Sequence, residues 1–180
     1  SDAKTARIQE LEGQIEGLNG NVQDLRTEIE GYAGAGGTIQ TTESLLQIAA
    51  EYTETADKQV AADKLEELAG SVDVEAMPAG FQQLYQSMNA AIGPELSKEY
   101  FDAGYQQYYT NRFEEAVETL GKAVKYDAAN VEALYLLGEA YRSSGDTANA
   151  ITTYDKVIEL FPEETRARDA QRRKDNLNAG

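Results

Sequence analysis

The chain has 180 residues, 32 Asp and Glu against 16 Lys and Arg, a formal net charge of −16, and neither Cys nor His. So large a negative surplus argues against nucleic acid and against direct binding of an anionic bilayer by these residues, and otherwise serves solubility. Disulfides, thiol chemistry, imidazole catalysis and Cys/His zinc sites are excluded, and no calcium loop, phosphate loop, dinucleotide fingerprint or nucleophile elbow occurs, so no catalytic residue, metal or cofactor is expected.

The first element in chain order is a helix with a heptad seam. Ile8, Leu11, Ile15, Leu18, Val22, Leu25, Ile29 and Tyr32 follow at alternating spacings of three and four, which holds one stripe of a supercoiled helix toward a partner. With Ile8 at a, the a positions are β-branched and d is mostly Leu, the pattern of parallel dimers. The e and g positions, including Glu12, Gln14, Asn19, Asn21, Arg26 and Glu28, are polar. A helix folded onto its own domain more often carries a wider apolar stripe. Residues 1–32 are therefore expected to form a coiled coil through which the chain self-associates. Gly13, Gly17, Gly20 and Gly31 fall on its outside, each weakening the helix by about 1 kcal/mol.

Glycines then cluster, and residues 33–40 read as a flexible joint between stalk and head. Residues 41–96 are again helical in pattern. Leu45, Ile48, Ala49 and Tyr52 share one face, and Val60, Ala61, Leu65 and Leu68 share another in a helix ended by Gly70. A third helix is expected to start near Pro78, to carry Phe81, Leu84, Tyr85, Met88 and Ile92, and to stop at the IGPEL segment, residues 92–96.

From Ser97 the chain repeats itself at an offset of 34 residues. Gly104 falls on Gly138, Ala116 on Ala150, Leu120 on Tyr154, Ala123 on Val157 and Ala128 on Pro162. Tyr100, Ala103 and Gln107 fall on Leu134, Leu137 and Tyr141, and the turn residues Asn111 and Gly145, both tolerant of positive φ, also coincide. Residues 97–164 thus resemble two tetratricopeptide repeat (TPR) units, each a helix–turn–helix. Small residues at repeat positions 8 and 20 let the paired helices approach, and large ones around them fill space. Gln107 and Ala128 depart from the pattern. Residues 42–75 offer a third, weaker match through Leu45, Ala49, Tyr52, Ala61, Leu65 and Leu68, and residues 165–180 read as a polar, Arg-rich capping helix. The expected fold is all-α, a coiled-coil helix followed by a TPR-type α-α superhelix.

The resemblance implies a concave face built from the first helix of each unit, at repeat positions 2, 5, 9, 12 and 13. These are Lys98, Phe101, Tyr105, Tyr108 and Tyr109, then Glu132, Tyr135, Glu139, Arg142 and Ser143. Lys98, Phe101, Tyr105, Tyr108, Tyr109, Tyr135, Glu139 and Arg142 are the candidate partner-binding groove. Phe and Tyr at positions 5 and 9 do not support a carboxylate clamp of Lys and Asn. An aromatic groove suits an extended or proline-rich peptide or the apolar face of a helix; alternatively, the helix at 81–92 fills it from within the chain. Gln107 stands where bulk is expected, which invites Tyr108 to turn inward.

The order of coil, glycine joint and TPR head also resembles the YbgF-type proteins of the bacterial cell envelope. That resemblance implies a non-catalytic, membrane-anchored, extracytoplasmic scaffold that oligomerises and binds a protein or peptide. The chain begins at Ser1 without Met, as a processed or trimmed chain does, and an upstream signal or anchor is compatible with it. A cytoplasmic TPR regulator or co-chaperone, or an accessory domain of a larger enzyme, is the alternative.

Overall fold

The structure, a computed structural model, describes residues 2–31 and 36–179. Among them are eight α-helices and no strand: α1 (Asp2–Gly31), α2 (Gly36–Thr55), α3 (Lys58–Ser71), α4 (Ala79–Tyr109), α5 (Phe113–Tyr126), α6 (Val131–Ser144), α7 (Thr147–Leu160) and α8 (Thr165–Asn178). The chain divides into two compact units, residues 1–92 and 93–180.

In the first unit the heptad seam is used partly within the chain. Leu18 and Leu25, both at d, are buried, while Leu11, Ile15 and Val22 are half-buried. Asn21, a g residue, donates to Ser87 Oγ of α4 at 2.8 Å, and α1 also packs on α2. The side chains of Ile8 and Ile29, and Tyr32 as a whole, lie outside the described residues. Helix α2 already begins at Gly36, so residues 36–40 of the expected joint are helical; residues 32–35 lie outside the described residues. Helix α3 runs one residue past Gly70 and ends in extended Val72, not in a left-handed glycine. Its start is capped by Asp57, which accepts from the Val60 N–H at 3.1 Å. Leu45, Ala49, Tyr52, Ala61, Leu65 and Leu68 are all buried. The turn between α2 and α3 places Ala56 at φ 52°, a left-handed conformation that costs an alanine about 1 kcal/mol.

The expected stop at IGPEL is not observed. Helix α4 continues through Pro94 to Tyr109, so residues 81–92 are its N-terminal part and not a separate linking helix. Pro94 lacks an N–H and opposes helix interiors, but buried Ile92, Leu96 and Ser97 anchor the turn on both sides of it. Packing outweighs a local preference here.

The second unit holds the C-terminal part of α4 with α5, α6, α7 and α8. Its helix pairs close where the 34-residue repeat requires. A Cβ on Gly104 would lie 2.6 Å from Leu120 Cγ, and one on Gly138 would lie 2.7 Å from Tyr154 Cε1. Only glycine admits the facing large residue at either place. The turns repeat as well. Asn111 and Gly145 have φ of 61° and 89°. The Arg112 N–H reaches Gln107 O at 2.9 Å, and the Asp146 N–H reaches Tyr141 O at 2.9 Å, the same bond one repeat later. Asn130 caps α6 through the Ala133 N–H at 3.0 Å and donates to buried Ser97 Oγ at 3.0 Å, tying the loop between α5 and α6 to α4. Helix α6, packed by α5, α7 and α8, is buried at every residue from Ala133 to Ala140. The first unit of the repeat is looser: Ala103 is exposed, and the half-buried Gln107 leaves its Oε1 without a hydrogen-bond partner.

Candidate functional site

In the second unit, α4, α6 and α8 enclose a groove of about 280 Å³. One wall is Phe101, Tyr105, Tyr108 and Tyr109 of α4; the floor is Glu132, Tyr135, Leu136 and Glu139 of α6; Arg166 and Arg173 of α8 close the far side.

The aromatic wall follows from helix spacing. Phe101, Tyr105 and Tyr109 are four residues apart, so their rings line up along one stripe, tilted against one another with centroids 6.0 and 4.4 Å apart. Tyr108 stands off the stripe, edge-on to Tyr109 at 5.3 Å and to Phe113 at 5.6 Å. It packs with Phe101 against the inner cluster of Ala116, Leu120, Leu136, Leu137 and Ala140. Two rings are thus rooted in the core and two face water: Tyr105 is 41% and Tyr109 63% exposed. A hydrogen bond to Tyr105 raises the Tyr109 pKa above the usual tyrosine range, so its hydroxyl keeps its proton.

The floor differs from expectation. Tyr135 and Glu139, expected as open wall and rim, are only 8% and 5% exposed. The Arg166 guanidinium lies 4.7 Å above the Tyr135 ring, in cation–π range. Burial raises the Tyr135 pKa, an effect that its hydrogen bond to Arg173 partly offsets. Glu139 accepts the Tyr154 hydroxyl at 2.5 Å and pairs with Arg142 at 3.1 Å and Arg173 at 3.0 Å. A buried carboxylate requires such partners. Burial, followed by the bond to Glu139, pushes the Tyr154 pKa far above the usual range. For Arg142, burial acts to lower the pKa and the Glu139 bond outweighs it. Arg166 is raised chiefly by its bond to Glu132, and Arg173 by its bond to Tyr135.

Six of the eight sequence-derived candidates therefore meet in one groove: Phe101, Tyr105, Tyr108, Tyr109, Tyr135 and Glu139. Lys98 does not; it is exposed and pairs with Asp102 at 2.6 Å on its own helix. Arg142 supports Glu139 without lining the groove. The lining also contains no residue of 81–92, whose Phe81, Leu84, Met88 and Ile92 are buried in the first unit. Arg166 and Arg173 were the residues missed by reading the tail as a solvating cap. The signal was present: one more step of 34 carries Lys98 and Glu132 to Arg166, and Tyr105 and Glu139 to Arg173. Helix α8 stands 34 residues after α6, in the register of a first helix, and its Ala167 and Ala170 are buried.

Among the described residues no group of acidic side chains is arranged to hold a metal, and no helix is long and apolar enough to cross a membrane.

Comparison with known proteins agrees with this geometry. Residues 101–165 match the family model for the tetratricopeptide repeat. Outer envelope protein 61 of Arabidopsis thaliana is 38% identical over 63 residues, which are 35% of this chain and 11% of that protein. The chain thus matches a small part of that relative's length. The fold is all-α with a TPR-type helical repeat, and repeats of this kind generally serve as non-catalytic modules that bind protein partners.

Proposed function

We propose that this chain is a non-catalytic scaffold whose 93–180 unit receives a protein or peptide segment in the aromatic groove. The observation that carries this reading is the exposed Tyr105–Tyr109 pair, held on a wall whose Phe101 and Tyr108 are rooted in the core. Rigid aromatic rings offer large contact area at low entropy cost, the property of interface anchors. The double variant Tyr105→Ala, Tyr109→Ala should lose proteins that the wild-type chain captures while its melting temperature stays nearly unchanged. A large fall in melting temperature would show that the rings are core and would sink the reading.

Two further parts belong to the proposal. Self-association through residues 1–32 draws on the unbroken heptad seam and on Leu11, Ile15 and Val22, which remain half-exposed; linking grooves in this way raises avidity for a multivalent partner. Placement outside the cytoplasm, as a scaffold of a bacterial cell envelope, draws on the layout of coil and TPR head. Labelling intact source cells with a membrane-impermeant lysine reagent tests it: protection of this chain before lysis and labelling after it would favour the cytoplasmic regulator instead.

A further inference from the structure

The heptad seam of α1 has two uses that compete. Leu18 and Leu25, successive d residues, are 2% and 1% exposed within a single chain, so their own unit already covers them. A parallel coil with a second copy needs the same d row at its centre, packed among the a and d residues of the facing helix. One side chain cannot fill both places. Among the described residues, the edge left over is Leu11, Ile15 and Val22, each half-buried. An edge of that width is not a knobs-into-holes seam.

The seat within the chain also matches the helix poorly. Helix α1 packs on α2 and reaches α4 through Asn21, whose Nδ2 donates to Ser87 Oγ at 2.8 Å. Here the covered stripe widens from a and d to take in g. Arg7, Gln14 and Asn21, successive g residues, are half-buried, whereas the e residues Glu12, Asn19 and Arg26 are exposed. Gln14 Oε1 is buried with no hydrogen-bond partner, and an orphaned amide oxygen is costly. In a parallel coil the g residues flank the seam, and each meets the e residue of the following heptad in the partner helix. Arg7 would then face Glu12, Gln14 would face Asn19 and Asn21 would face Arg26, pairs that attract or are neutral. Helix α1 is also weak by itself. Gly13, Gly17 and Gly20 lower its propensity, and a Cβ at each would meet open space. It therefore rests on one partner surface or the other.

Resting on the self-association proposed above, we infer that the 1–92 unit is self-masked: the packing of Leu18, Leu25 and Asn21 on their own unit and the coiled coil with a second copy exclude each other. The half-buried Leu11, Ile15 and Val22 make the first contact between copies, and the d row follows as α1 leaves its unit. How firmly α2 and α4 hold α1 then sets the apparent affinity between copies, because only the released fraction can form the coil.

The test uses the full chain, which has no Cys, so an engineered thiol pair reacts unambiguously. Asn21→Cys with Ser87→Cys is joined within one chain by a short, reducible bis-thiosulfonate cross-linker. Light scattering follows self-association before and after reduction. The locked chain should stay a single protomer, and reduction should return concentration-dependent association to the same molecule. Ser87→Ala leaves the coil sequence untouched and removes a bond that holds α1, so it should tighten association at least about twofold over wild type. A locked chain that associates as well as the reduced one, or a Ser87→Ala chain that associates less tightly than wild type, overturns the masking and leaves self-association standing. If wild type, the reduced pair and Ser87→Ala are all single protomers at every concentration, self-association falls and the masking with it.

Discussion

At the scale of single residues, the repeat rests on two glycines that face large side chains. Gly104→Ala or Gly138→Ala would drive a Cβ to within 2.6 Å of Leu120 or 2.7 Å of Tyr154. Each should destabilise the chain by about 1–3 kcal/mol in denaturant melts. Gly121, with open space where its Cβ would be, supplies the control: Gly121→Ala should be neutral or stabilising. The buried tyrosines set an alkaline limit. The pKa values of Tyr154 and Tyr135 are raised in the fold, first by burial. A tyrosine of raised pKa binds its proton more tightly folded than unfolded. The stability it contributes is complete below the unfolded value of about 10 and is lost as pH rises through the folded value. Melting temperature should therefore be flat from about pH 7 to 9 and fall above about pH 10, and Tyr154→Phe should flatten part of that fall. A melting temperature that climbs above pH 10 would contradict the assignment.

At the scale of elements, α4 and α8 show tertiary packing overruling local signals. Pro94 lies exposed inside α4. Pro94→Ala restores a helical N–H and removes the ring's clash, so stability should rise by about 2 kcal/mol after allowing for the freer unfolded chain. Gly93 beside it is not replaceable: its Cβ would stand 2.5 Å from the Tyr126 carbonyl oxygen of α5. Helix α8 looks like a polar tail in composition, yet Arg166 and Arg173 close the groove over Tyr135. Arg166→Ala removes a bidentate pair and a cation–π contact, both partly exposed, and should cost about 1–2 kcal/mol. It should also make Tyr135 more accessible to a collisional quencher. Unchanged quenching would mean that another side chain covers the ring.

At the scale of the whole molecule, the proposed self-association draws on the part of the α1 seam that its own unit leaves half exposed. Leu18 and Leu25 are buried within the chain, and Ile15 and Val22 only half. Light scattering on the full chain should give more than one protomer, and Ile15→Gln with Val22→Gln should reduce that number. A monomer at all concentrations would remove self-association from the proposed function. The periods of three and four, and of 34, were legible in the sequence because they are set by helix geometry, which each segment carries locally. From them came the all-α class, the paired helices, the positive-φ turns at Asn111 and Gly145, and the aromatic stripe of Phe101, Tyr105 and Tyr109. What the sequence left undecided were outcomes of competition between distant groups. Pro94 could be carried inside a helix because buried neighbours outweighed its lost bond. Glu139 and Tyr135 went from wall to floor because α8 arrived with guanidiniums to cover one and pair the other. Burial and charge pairing depend on which side chains meet in space, so only the tertiary structure decided which rings stay wet.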